Sequence, residues 1–257
     1  MGPDAVQDAL RTPGDAPPPR DEEDSMTPDT VLVTGASGAL GKAVRERVRA
    51  AGLHAALLLR DPAEAEEERA AGGWAAAVDL LDEAAVGSAV ASAVADAERG
   101  GGRLGAALLL AGGFALESAA DTDLAALRRQ FDLNLATAAT VVRAVLPAML
   151  RRGGGTIVGV AAGQARRGGA RAAAYAASKA ALAAYLRAVD EETATDGVRT
   201  VTVFPMGTLD TEANRRAMPA ADPAGWIDTA RLADVLLLVA TLGPRARLRE
   251  VEVHPDA

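Results

Sequence analysis

The segment Tyr175-Ala176-Ala177-Ser178-Lys179 puts a phenol and an ammonium four residues apart in an Ala-rich stretch, a spacing that sets both on one face of a helix. A lysine cation near a phenol favours the phenolate and lowers its pKa toward the range where it exchanges a proton during hydride transfer. Taken alone, the pair reads more simply as a solvated surface contact. Far upstream, Thr34-Gly35-Ala36-Ser37-Gly38-Ala39-Leu40-Gly41 follows an apolar run and opens a helical stretch. Glycines in a strand-to-helix turn let the backbone bend sharply and approach a pyrophosphate, whose charge the free N–H groups of the helix N-terminus stabilise. Such a turn can also merely join a strand to a helix. In strand-turn-helix context, ahead of the Tyr–Lys pair, dinucleotide binding is the stronger reading.

The elements that must position these residues follow from the alternation along the chain. From Thr30 onward, short β-branched or leucine-rich runs alternate with longer Ala-rich amphipathic stretches, as in βαβ units around a parallel sheet. Strands are expected at Thr30 to Thr34, Leu53 to Leu59, Ala75 to Val78, Leu104 to Leu110, Thr156 to Val160, Val198 to Phe204 and Glu250 to Val253. Helices are expected at about Ala39 to Ala51, Asp82 to Glu98, Asp121 to Arg151, Ala172 to Thr195 and Ala230 to Leu242. The fold class is therefore α/β, a single Rossmann-type doubly wound parallel sheet of about seven strands with helices on both faces.

Composition bounds the chemistry. The chain has 257 residues, 49% hydrophobic and 24% charged, which suits one large domain over residues 30–257. Its formal net charge of -8 argues against general attraction to nucleic acid or an anionic membrane, so a small-molecule partner is expected. Cysteine is absent and the histidines are His54 and His254 only, so no metal site is expected. Residues 1–29 carry eight acids, two bases and many prolines and read as a disordered acidic tail. With neither a basic start nor an apolar stretch in it, a cytoplasmic protein without a membrane segment is expected. Met26 is a conceivable alternative start.

Taken in order, the glycine turn, an Asp after the third strand (Asp79-Leu80), an Asn in a long helix (Phe131-Asp132-Leu133-Asn134-Leu135) and the Tyr175/Lys179 pair make the chain resemble the short-chain dehydrogenase/reductase family over essentially Thr30 to His254. The resemblance implies an NAD(P)-dependent oxidoreductase. It implies that Tyr175 donates or accepts the proton, that Lys179 binds the nicotinamide ribose, and that Asn134 holds a water linking Lys179 to solvent. By the same likeness Gly35, Ser37, Gly38, Ala39, Leu40 and Gly41 would cradle the pyrophosphate end of the cofactor, and Asp79 and Leu80 would contact the adenine. A plain helix-cap or turn role for Asp79 stays open. The family likeness also implies a homodimer or homotetramer, paired through the Asp121 to Arg151 and Ala172 to Thr195 helices.

Three departures narrow the assignment. The usual Gly-x-x-x-Gly-x-Gly pattern has Ala39 at its middle position, with Gly38 one residue earlier. The family's catalytic Ser position, thirteen residues before Tyr175, holds Ala162. Losing that hydroxyl removes a donor to the substrate oxygen, a contact whose loss costs roughly 2.7–4 kcal/mol of transition-state stabilisation; Gln164 is a conceivable substitute. The turn, the Ala111-Gly112-Gly113-Phe114 segment, the missing Ser and the stretch from Thr208-Leu209-Asp210-Thr211 to Trp226 look like the dihydropteridine reductase branch. A quinonoid dihydropterin is electrophilic enough for a phenol and a lysine to suffice.

The third departure concerns the cofactor. That branch carries an Asp at the end of the second strand, where an acid accepts hydrogen bonds from the NAD ribose; here Leu59 is followed by Arg60. A guanidinium there suits a 2′-phosphate, so NADP(H) is preferred, with NAD(H) possible and Asp61 as a complication. The Pro205-to-Thr208 connection is one residue longer than in the branch, and the loop from Thr211 to Trp226 is expected to close over substrate. The function expected is hydride transfer from NAD(P)H to a carbonyl or conjugated imine with Tyr/Lys acid–base catalysis. The alternatives are a dihydropteridine reductase proper and a non-catalytic NADP(H)-sensing module.

Overall fold

The computed structural model describes residues 29–243 and 246–256; the expected acidic tail and the Met26 start lie outside them. Seven parallel strands form the main sheet: β1 (Thr30–Thr34), β2 (His54–Leu59), β3 (Trp74–Ala77), β4 (Leu104–Leu109), β5 (Gly155–Val160), β6 (Val198–Pro205) and β9 (Glu250–Val253), in the order β3-β2-β1-β4-β5-β6-β9. Two-residue strands β7 (Leu209–Asp210) and β8 (Ile227–Asp228) pair separately. The expected strands all form, and β1 and β9 have the bounds the sequence predicts. β1 is buried throughout, with Val31, Leu32 and Val33 at its centre, because both its faces are covered.

Side-chain alternation divides the core. Val31 and Val33 face a layer that includes Val44 and Val48 of α1 (Ala39–Ala50). Leu32 faces the layer of α3 (Glu83–Arg99), α5 (Thr137–Arg151) and α7 (Ala173–Thr193). On the first face also lies α9 (Thr229–Thr241). The run Leu124–Arg151 is long and apolar enough by composition to cross a membrane. Here Val141, Val142 and Val145 are buried against the sheet, so that apolarity belongs to a core helix.

Two elements depart from expectation. Helix α2 (Pro62–Ala70) fills a stretch without apolar periodicity. Asp61 caps it through Ala63 N at 2.8 Å and Pro62 opens it, while buried Glu68 pairs with Arg45 at 2.6 Å and with Arg49. The long helix expected from Asp121 starts at Leu124 behind the cap Asp123, and runs as α4 (Leu124–Phe131), a π-helical turn over Asp132–Ala136, and then α5.

Buried Arg199 on β6 ties down the segment that leads from α9 toward the last strand. Its guanidinium donates to the carbonyls of Leu242 at 2.6 Å, Gly243 at 3.2 Å and Ala246 at 3.0 Å, and to Thr156 Oγ1 at 3.2 Å. It thereby caps the carbonyl end of α9. Arg199→Met should lower stability by about 2–4 kcal/mol, because several carbonyls lose a charged donor at once. Urea unfolding measures this, and an unchanged midpoint would mean that water satisfies those carbonyls equally well.

Candidate active site

In a sheet of this order, the crevice opens where β1 and β4 diverge, beyond the carboxyl ends of the strands. Thr34, the last residue of β1, joins the two sides: its Oγ1 accepts from Leu110 N at 3.1 Å and Ala111 N at 3.2 Å. The glycine turn leaves β1 on one side, and Gly112-Gly113 leaves β4 on the other. A Cβ on Gly41 would lie 2.2 Å from the Gly35 carbonyl oxygen, so the turn closes on α1 only with glycine there. Gly38, the N-cap of α1, offers no capping side chain, whereas α2, α3, α4 and α9 are capped by Asp61, Asp82, Asp123 and Asp228. The first-turn N–H groups of α1 thus face outward without a side-chain acceptor, which fits a pyrophosphate.

Opposite, Asn134 is fully buried in the π-helical turn and acts as a clamp. Its Oδ1 accepts from Gly113 N at 3.0 Å and its Nδ2 donates to Gly113 O at 3.0 Å. The same Nδ2 reaches Ser178 Oγ at 3.1 Å and Gln130 Oε1 at 3.3 Å. Ser178 Oγ in turn donates to Tyr175 O at 2.8 Å. One extra residue per turn carries Asn134 inward, a use of π-bulges common at functional sites. Lys179, only 7% exposed, donates from Nζ to Val160 O at the end of β5 at 2.8 Å. A Cβ on Gly112 would meet Asn134 Oδ1 at 2.7 Å and Lys179 Nζ at 3.2 Å, so glycine leaves the room these two groups share.

Tyr175 lies one turn before Lys179 on α7. Phe114 packs edge-on against its ring at 4.8 Å, with an interplanar angle of 88°. Just upstream, Arg171 takes φ 60°, a left-handed conformation costly for a non-glycine residue. The Glu117 N to Arg171 O bond at 2.8 Å holds it there, fixing how α7 begins. Burial pushes the Tyr175 phenol up to about 12 and the Lys179 ammonium down to about 8. In the chain itself loss of hydration is the largest influence on both groups, and it opposes ionisation of the phenol.

Ala162 is 5% exposed at the end of β5, where no hydroxyl is present. Gln164 opens the short helix α6 (Gln164–Arg167), and among the described residues no hydrogen bond directs its amide into the crevice. Arg60 is exposed just past β2 and unpaired among the described residues. Asp79, also exposed, accepts from Leu81 N at 3.0 Å, the turn role left open above, with Leu80 half-buried beside it. The Thr211 to Trp226 segment holds helix α8 (Glu212–Ala217) and a 3-10 turn over Pro223–Gly225. Sequence reasoning missed Ser178, Gln130 and Gly112 as partners; Gln130, four residues before Asn134 on one helical run, was detectable by spacing. A cavity of about 820 Å³ is lined by Arg49, Glu68, Trp74 and the 100–102 glycines, at the amino ends of the strands and away from Tyr175.

The family model described as short chain dehydrogenase matches residues 29–221, a span from the glycine turn through the Tyr–Lys pair. An uncharacterized oxidoreductase from Myxococcus xanthus is 35% identical over 70% of this chain and 72% of its own length. A 2-dehydro-3-deoxy-L-rhamnonate dehydrogenase (NAD(+)) from Sphingomonas sp. is 32% identical over 65% of this chain and 67% of its own. A solved structure from Burkholderia xenovorans, described as a short-chain dehydrogenase/reductase, has a TM-score of 0.74 at 31% identity, covering 90% of this chain and 96% of that one.

Proposed function

This chain belongs to the short-chain dehydrogenase family and is an oxidoreductase of that family, and from that premise we propose a reductase that uses NADP(H) in preference to NAD(H) on an electrophilic conjugated imine or carbonyl, with a quinonoid dihydropterin as the leading substrate type. The observation that carries the proposal is a buried Lys179, held at Val160 O beside Asn134 and one turn from Tyr175, with no hydroxyl at Ala162. A bound reduced nicotinamide supplies the hydride. The chain's own residues do the rest.

Tyr175 Oη gives its proton to the substrate atom that gains electrons. A phenol held near 12 carries its proton at neutral pH, as the reductive direction requires, and it becomes an effective acid only where a positive charge beside it offsets the burial. Lys179, still largely charged at pH 7, stabilises the phenolate left behind and takes the ribose hydroxyls. Asn134 positions the Gly113 backbone and, as the family resemblance implies, keeps a water in reach of Lys179. The glycine turn, with Ser37, holds the pyrophosphate end, Asp79 and Leu80 flank the adenine, and Arg60 meets the 2′-phosphate. The helical run from Leu124 and helix α7 form the faces of a homo-oligomer, as the resemblance implies.

Steady-state oxidation of NADPH and NADH, with quinonoid dihydropterin and a simple diketone as parallel acceptors, tests this. Turnover is expected with the pterin and is weak with the diketone. Ala162→Ser should raise diketone turnover by about 10–100-fold, since one well-placed donor is worth at least that much in related acyl chemistry. Cofactor binding without turnover on either acceptor would overturn this substrate reading and raise the standing of a cofactor-sensing module.

A further inference from the structure

Two groups of opposite sign lie just past the carboxyl end of β2, the region that the cofactor reading given above assigns to the adenosine ribose. Arg60, just past β2, is exposed and unpaired among the described residues. Four residues on, Glu64 sits in the first turn of α2, and its carboxylate accepts a hydrogen bond from the Ser37 hydroxyl in the glycine turn. Asp61, the acid next to Arg60, is not the one reaching across: its side chain accepts from Ala63 N and caps α2. The second strand ends without an acid, so α2 supplies one from its first turn.

We propose that Glu64 is a cofactor-selecting residue, which engages the Ser37 hydroxyl and sets a negative charge against a 2′-phosphate, so that NAD(H) competes with NADP(H) despite Arg60. The inference rests on the nicotinamide-cofactor reading given above. A carboxylate and a phosphate a few ångströms apart in a half-solvated site repel enough to change affinity by roughly tenfold. A ribose 2′-hydroxyl has no such penalty and can itself donate to the carboxylate. Ser37, while bonded to Glu64, has its proton directed away from a phosphate oxygen. Glu64 and Arg60 therefore pull the selection in opposite directions, and Arg60 alone is an incomplete guide to it.

The test is equilibrium binding of NADPH and of NADH to the full-length chain, followed by nicotinamide fluorescence without substrate, for the wild type, Glu64→Gln and Glu64→Ala. Glutamine removes the charge and keeps an acceptor for Ser37; alanine removes both. Both variants should bind NADPH roughly tenfold more tightly and NADH within about threefold of the wild type, and the NADPH gain should shrink at about 0.5 M salt. An unchanged ratio of NADH to NADPH dissociation constants in both variants overturns the role of Glu64 and leaves the cofactor reading intact. Binding of neither nucleotide by the wild type overturns the cofactor reading, and this inference with it.

Discussion

Tyr175→Phe should lower kcat/KM by about 10²–10⁴ with any acceptor the wild type reduces, and leave NADPH binding within about twofold. Among the described residues the Tyr175 Oη makes no hydrogen bond, and the ring is held by Phe114 at 4.8 Å and by its place on α7. Phenylalanine keeps both contacts, so the fold and the cofactor side of the crevice are undisturbed, and what is lost is the transferable proton. The measurement is kcat/KM alongside cofactor titration of the same protein. Turnover within a factor of a few of the wild type would remove Tyr175 from the chemistry, and a parallel loss of NADPH binding would mean that the ring supports the cofactor site.

The sequence carried the sheet well because the central strands β1, β4 and β5 are buried on both faces and appear as largely apolar runs, while the edge strand β9 shows as the alternation Glu250-Val251-Glu252-Val253. Val31, Leu32 and Val33 are 0% exposed although they face opposite layers. Helix α2 escaped notice because it touches the core mainly through Ala65 and the ion-paired Glu68, so its stability lies in caps and charges that hydrophobic periodicity does not register. The π-helical turn was equally hidden. An extra residue in a turn is favoured by what Asn134 clamps, and Gly113 lies 21 residues away in sequence. Pairwise spacing located Tyr175, Lys179 and Asn134, yet it could not say which influence would govern their protonation. That depends on burial among distant residues, and burial moves Tyr175 and Lys179 in opposite directions from their ordinary values. The Ser37–Glu64 contact was out of reach for the same reason, since it joins the β1 turn to a helix with no sequence signal tying the two together.

Lys179→Met should abolish most turnover and yet make the cofactor-free chain more stable at pH 7, by about 1–2 kcal/mol. Burial lowers the ammonium from an ordinary 10.5 to about 8, a cost of about 3 kcal/mol for holding the charge. Methionine is close to the same length and avoids that cost. Against this stands the Val160 carbonyl, which loses its donor at 2.8 Å and gives back about 1–2 kcal/mol. The pH dependence fixes the origin of the difference. Below pH 8 the lysine is protonated in both the folded and the unfolded chain, so the full penalty acts on the wild type. Between pH 8 and 10.5 the folded chain releases the proton while the unfolded chain keeps it, so wild-type stability rises with pH and the advantage of the variant fades. Urea unfolding of both proteins across pH 7 to 10 follows the gap. A variant less stable than the wild type at pH 7, or a gap that does not narrow with pH, would mean that Lys179 is stabilised by its surroundings. The penalty is what the site accepts in exchange for an ammonium beside Asn134 that is held ready to receive a ribose and to balance a phenolate, and neither task can be done by an apolar side chain of the same shape.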